Sequence, residues 1–312
     1  MAALRLLNRY SFGFALLLTL VLLAATLIRD SNFGWRDQLA NFAPLALAAM
    51  ASTPAIISGG GGFDLSVSPL MFFSGEVFII YLAPHHLGGA EAVPIILAVG
   101  IAVGALNGLV IILLRVPPVV ATLAMYFILV GVDLRVAPNP QYLSGSWIND
   151  LAGSVGPIHG ALFTLCFPIL VWVLLGLTPY RRTLYAVGSN DATAFASGVN
   201  VALVRVIAYA LGGLFAAVGG LSLIALTSSA NPSLASTYTL LAIAAVALGG
   251  TSLWGGRGGL MGPVLGAASI YLLGNMLLTL QVNPSYLQVM YGGMLILAVV
   301  LGGLAGRGRA TA

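Results

Sequence analysis

Long apolar runs separated by short polar connections dominate the chain. They fall near residues 11–28, 39–57, 66–83, 93–114, 118–136, 160–178, 203–226, 238–250, 262–280 and 286–304. Most approach the ~20 residues that a helix needs to cross ~30 Å of hydrocarbon at 1.5 Å per residue. The runs are continuous rather than alternating over ~10 residues, so helices are expected and a β-barrel is not. The expectation is an all-α, polytopic inner-membrane protein of about ten transmembrane helices. Two spans read as broken. The second runs into SGGGGFDLSVSP (Ser58–Pro69) and the eighth into GGTSLWGGRGG (Gly249–Gly259). Glycine at this density stops a helix, and irregular backbone at membrane depth must face protein or a water-filled cavity. Both loops are therefore expected to line a path. A helix, Gly-rich loop, helix pattern occurs once in each half, which hints at duplication.

The longest polar interruption is Thr178–Arg205, TPYRRTLYAVGSNDATAFASGVNVALVR. Its middle reads as a short helix with Asn190 as N-cap, Asp191 in the first turn and Gly198 as the stop. Bilayer proteins keep loops short unless something outside the lipid uses them, so this helix is expected to be a handle for a soluble partner. At the N-terminus, Arg5 and Arg9 precede an apolar stretch from Phe12 to Ile28, as in a signal peptide. No A-x-A-like site follows before the charged cluster Arg29–Asp37, and a retained first helix is expected.

Composition agrees with this pattern. Of 312 residues, 60% are hydrophobic and only 6% charged, and the mean hydropathy is +1.05, against about 25% charged in soluble domains. All twelve basic residues are arginine. With a cytoplasmic N-terminus, nine of them (Arg5, Arg9, Arg115, Arg181, Arg182, Arg205, Arg257, Arg307 and Arg309) fall inside and three (Arg29, Arg36 and Arg135) outside, the orientation that the positive-inside rule favours. Both termini and the long polar loop are then cytoplasmic. The connection Ala137–His159 lies outside, with Tyr142 and Trp147 as interface anchors. Without lysine there is no G-K-[ST] phosphate loop, and ATP-driven work would need another chain. The single cysteine, Cys166, reads as a small core residue.

Acidic residues in or near the spans are few, namely Asp64, Glu76 and Asp133, and each is costly enough to be a functional candidate. Asp64 and Ser66 are candidates to line a translocation path, or can instead cap the third helix. Glu76 lies mid-span and can line a cavity, pair with an arginine or be protonated. The uncharged polar residues Asn107, Thr122, Tyr126 and Asn275 suit either a path for a polyhydroxylated solute or helix-to-helix hydrogen bonds. His85, His86 and Glu91 lack metal-ligand spacing, and neither a metal nor a cofactor is expected. No nucleophile and base pairing, H-E-x-x-H motif or basic aromatic groove occurs, so an enzyme and a nucleic-acid binder are both disfavoured.

Four blocks carry a resemblance. GGFDLSVSP (Gly61–Pro69), VPPVVATLAMYFILVGV (Val116–Val132), YAVGSNDATAFASGVNV (Tyr185–Val201) and AIAAVALGGTSLWGGRGG (Ala242–Gly259) resemble, in order and spacing, the membrane permeases of ribose-type sugar ABC importers. The resemblance covers nearly the whole chain. It implies one permease domain over 1–312, with a cytoplasmic coupling loop at 179–202. It also implies pairing with a second permease copy or paralogue, two cytoplasmic ABC ATPase subunits and a periplasmic substrate-binding protein, in a bacterial inner membrane and in contact with its lipid. Related branched-chain amino acid permeases typically lack the D-L-S-V block, so Asp64–Val67 points to sugars. Tyr185, Gly188, Asn190, Ala194 and Gly198 match the family's coupling segment, with Asp191 and Phe195 in the same loop. Phe195 stands where arginine is usual, Leu241 where aspartate is common, and Ser68-Pro69 where Gly-Ser is common. The resulting expectation is a subunit importing a monosaccharide or related polyol. Branched-chain amino acid or nucleoside import by the same machinery is one alternative, and an ion-coupled carrier using Glu76 is another.

Overall fold

The computed structural model describes residues 12–29, 33–143, 145–231 and 235–283, with 286, 289–293 and 296 beyond them. Among the described residues, eleven α-helices with defined bounds follow in chain order: α1 Gly13–Arg29, α2 Trp35–Ile57, α3 Val67–Glu76, α4 Ala92–Leu114, α5 Pro118–Val136, α6 Ala161–Gly176, α7 Pro179–Ser189, α8 Asp191–Ala196, α9 Val201–Thr227, α10 Thr239–Leu248 and α11 Met261–Thr279. α3 continues through a π-helical turn, Val77–Leu82, and a 3₁₀ turn to His85. The only sheet among the described residues is two short antiparallel pairs, β1 (Gln141–Tyr142) with β4 (Ser229–Ala230) and β2 (Ser154–Val155) with β3 (Ile158–His159).

Six of the described helices are long and apolar enough to cross a membrane, and a seventh span results if α6 and α7 count as one bent unit. The fold is therefore helical and multi-span. The ten spans expected from the sequence reduce to this number because α10 is only ten residues long, α1 is seventeen, and most of the tenth apolar segment lies outside the described residues. At 1.5 Å per residue α10 covers ~15 Å, about half of a hydrocarbon core.

The layering inverts the soluble rule. α2 is among the least hydropathic of the spanning helices, yet 89% of its window is buried, whereas the more apolar α4 and α5 are 33% and 28% buried. Lipid already solvates leucine and isoleucine, so the apolar helices face outward and the alanine-rich one packs inside. Ala43, Ala46, Ala48, Ala49, Ala51 and Ala55 of α2 are all fully buried, among α6, α9, α10 and α11. α9 is the other hub, packing on α2, α3 and α4. Its contact with α4 follows a small-residue stripe, Gly100, Gly104 and Gly108. A methyl group at Gly100 or Gly104 would strike the α9 backbone at Gly213 or Tyr209. This is close backbone approach of the G-x-x-x-G kind, a pattern legible at four-residue steps of the sequence.

The polar interruption contains more helix than expected. α7 begins with Pro179 at its first position, where the missing N–H is harmless. It turns through 89° from α6. Cys166 is exposed on α6, not in the core: a small apolar thiol on an outward face of a spanning helix suits contact with lipid.

Candidate functional site

Three distant segments converge on one buried point. α2 ends at Ile57, and Gly59, Gly60 and Gly61 all adopt positive φ. Gly188, in the last turn of α7, lies against this turn. Gly255 and Gly256 arrive from the second Gly-rich loop, also with positive φ. The Gly256 N–H donates to the Ile57 carbonyl at 3.0 Å. A Cβ on Gly59 would lie 2.8 Å from the Gly188 carbonyl oxygen, and one on Gly255 would strike the Gly59 backbone. Three backbones thus touch directly, which only glycine permits. The Tyr185 hydroxyl fastens the joint by donating to the Gly258 carbonyl at 2.7 Å. The two Gly-rich loops close on one another and on α7.

The short helix α8 extends from this joint. The Asn190 side chain accepts the Thr193 N–H at 3.0 Å, Asp191 lies in the first turn, and Gly198 reverses the chain at φ +82°. Ala194 is buried, whereas Phe195 is 73% exposed and borders an open groove with Ile112, Val199 and Val201. Asp191 forms an ion pair with Arg205 of α9. Trp254, at the tip of the second Gly-rich loop, is 89% exposed, a second aromatic beside the joint that the sequence did not single out.

Of the residues proposed for a path, four gather around the turn from α2 to α3. The Asp64 carboxylate accepts the Ser66 N–H at 2.9 Å and its hydroxyl at 2.6 Å. Asn107 of α4 donates to the Ser66 hydroxyl at 2.8 Å, and Thr122 of α5 donates to the Phe63 carbonyl at 3.1 Å. All four are buried. The expected capping of α3 by Asp64 is corrected. The carboxylate orders the turn ahead of the helix through Ser66, and Ser66 itself makes no side-chain cap bond. The start of α10 joins the same cluster, with the Tyr238 N–H donating to Ser68 Oγ at 3.1 Å and Thr239 Oγ1 to the Leu65 carbonyl at 3.4 Å. The starts of α3 and α10 therefore lie side by side.

The remaining candidates lie elsewhere. Glu76 faces Asp133 of α5, both fully buried, and among the described residues no group other than the opposing acid can donate a hydrogen bond to either carboxyl. The arginine partner considered for Glu76 is absent among the described residues, and a second acid stands in its place. Tyr126 is half-buried on α5 with its ring edge against Phe127. Asn275 and Tyr271 of α11 both donate to Gln38 of α2, at 3.0 and 2.6 Å. Among the described residues, the hydrogen bonds of Asn107, Thr122 and Asn275 each join one helix to another helix or to a turn.

The geometry makes a charge-free test of Asp64 possible. Asp64→Asn keeps an oxygen for both Ser66 donors, and near-normal abundance and uptake are expected. Asp64→Leu leaves two buried donors unpaired at about 1–3 kcal/mol each, and loss of protein from the membrane is expected. Normal abundance with abolished transport in the Asn variant would assign the charge itself a role.

Residues 35–299 match the family described as "Branched-chain amino acid transport system / permease component". The chain belongs to this permease family. Among curated proteins it is 33% identical over 305 residues to the ribose import permease protein RbsC of Escherichia coli K12, covering 92% of each chain. It is 35% identical over 270 residues to the RbsC of Bacillus subtilis, covering 82% of this chain and 80% of the relative. It is 34% identical over 225 residues to the galactose/methyl galactoside import permease MglC of Salmonella typhimurium, covering 69% and 67%. No solved structure matches. The chain is thus a transport permease, and its relatives are transporters rather than enzymes. The family's description names amino acids, whereas these relatives are sugar importers.

Proposed function

We propose that this permease is the membrane subunit of an ATP-binding cassette importer for a monosaccharide or related polyol, forming one domain over 1–312 with a cytoplasmic coupling loop at 179–202. A separate ATPase would drive it, a periplasmic binding protein would feed it, and a second permease copy or paralogue would complete the membrane unit. The observation that carries this reading is the capped helix α8. It stands outside the apolar helices with an exposed Phe195, on a loop wedged into both broken spans. A closing ATPase pushing there would move the ends of α2 and α7 and the second Gly-rich loop together, a rigid-body switch in access. The ribose and galactose relatives, together with the Asp64–Val67 block, support sugar over amino acid.

The test is uptake in proteoliposomes. The chain with its ATPase and binding protein should accumulate labelled pentose or hexose only when ATP is supplied. Uptake driven by a proton or sodium gradient with this chain alone would instead favour a carrier built on Glu76 and Asp133. Orientation is tested in cells lacking Cys166: Ser197→Cys should resist an impermeant periplasmic thiol reagent, and its modification would reverse the topology.

A further inference from the structure

The sequence places Arg205 among the cytoplasmic arginines, and a long side chain at such a position commonly reaches for water. The structure holds it inward instead. Its side chain is only 18% exposed, and its Nε is buried without a partner. One Nη donates to Asp191 in the first turn of α8. The guanidinium covers Gly60, where a Cβ would collide with Nη2 and come within 3.0 Å of Cζ. One turn further along α9 lies Tyr209, fully buried. Arg205 therefore touches the short helix on one side and the α2–α3 turn on the other. Beyond that turn run the bonds from Asp64 through Ser66 to Asn107.

An ion pair with a partner that is 45% exposed adds little to stability. Its geometric effect is larger, because it ties a six-residue helix to the Gly60 turn, next to the point where Gly59, Gly188 and Gly255 pack backbone to backbone. Without the pair, α8 keeps its buried Ala194 and the ends of its own loop as attachments, but no side-chain bond to the Gly60 turn. We propose that Arg205 is a positioning residue for energy coupling, transmitting displacement of α8 through the Asp191 ion pair to the Gly60 turn and so to the first turn of α3. The proposal rests on reading 179–202 as the ATPase-coupling loop.

The experiment uses the full importer with ATPase and binding protein, and reads ATP hydrolysed per sugar imported. Arg205→Gln should raise that ratio about tenfold, inside the 5–150-fold span typical of coupling between sites, while the ATPase still co-purifies. Asp191→Asn should act in the same direction, the double variant should be no worse than Arg205→Gln alone, and Asp191→Glu should restore coupling. An unchanged ratio in Arg205→Gln at normal abundance overturns the proposal. If that variant is lost from the membrane, Asp191→Asn decides alone, since it alters only the exposed partner, and an unchanged ratio there overturns it equally. Crosslinking of Ser197→Cys to the ATPase tests the coupling-loop reading separately. No crosslink in an assembled complex removes that reading and the proposal together, whereas a crosslink with an unchanged ratio removes the proposal alone.

Discussion

Gly188→Ala is expected to deplete the permease from the membrane, although it adds a single methyl group. The new carbon would strike the Ile57 carbonyl and lie 2.5 Å from the Gly256 nitrogen, which are the two ends of one hydrogen bond. Neither obstacle is a side chain that can rotate away. Overpacking of this kind costs about 1–3 kcal/mol, and loss of the buried bond adds about 1–3 more for its unpaired groups. The sum is a large part of a typical stability of about 5–15 kcal/mol. Gly198→Ala is the control. Gly198 also carries an alanine penalty, at φ +82°, but nothing lies within 4 Å of the point where its methyl group would sit, so the backbone penalty of about 1–2 kcal/mol stands alone. Membrane abundance and the thermal midpoint in detergent should rank wild type, then Gly198→Ala, then Gly188→Ala. Equal behaviour of the two glycine variants would show that the joint yields easily and is not a tight contact.

Phe195→Ala is expected to strip the ATPase from the permease while leaving the membrane domain intact. A 73% exposed ring on a six-residue helix contributes little to the fold that carries it. Buried in a partner's groove, such an anchor is commonly worth 2 kcal/mol or more, about a 30-fold loss of affinity on truncation. Co-purification should fall accordingly, with permease abundance and melting unchanged. Phe195→Leu should keep most of the interaction, because the buried apolar area is largely retained. Unaltered complex formation and sugar uptake in the alanine variant would remove the ring from the interface.

What could be read from residue order was the local part. Nine apolar runs coincide with helices because each carries its own signal, and Asn190 caps α8 because its bond to Thr193 spans only three residues. Helix α7 escapes a reading by apolar runs because Arg181, Arg182 and Thr183 break the run, although Tyr180, Leu184 and Val187 recur at helical spacing on its inner face. The partners of Asp64 and Glu76 were illegible for a different reason. Asn107 and Asp133 are brought to them by the packing of α3 on α4 and α5, and no spacing within a single element encodes that. The glycines were visible as chain breakers. Their mutual contact was not, since a residue without a side chain leaves no pattern that names its neighbour. Functional assignment came from the ordered blocks, while the physical reading of single residues supplied the attachment points.

The glycine joint also sets an order of events during biogenesis. The Ile57 carbonyl at the end of α2 is made about 200 residues before Gly256, the donor that completes its bond. At ~5–20 residues per second, that interval is on the order of 10–40 s. Throughout it the end of α2 and the turn after it wait at the membrane unlocked. A ribosome that stops before the second Gly-rich loop therefore releases a chain whose earliest spans are complete in length yet open at their joint, a ready substrate for membrane proteases. Half-length fragments of this permease should be cleared rapidly, and co-expression of the missing half, by delivering Gly255 and Gly256 to the waiting turn, should prolong their lifetime.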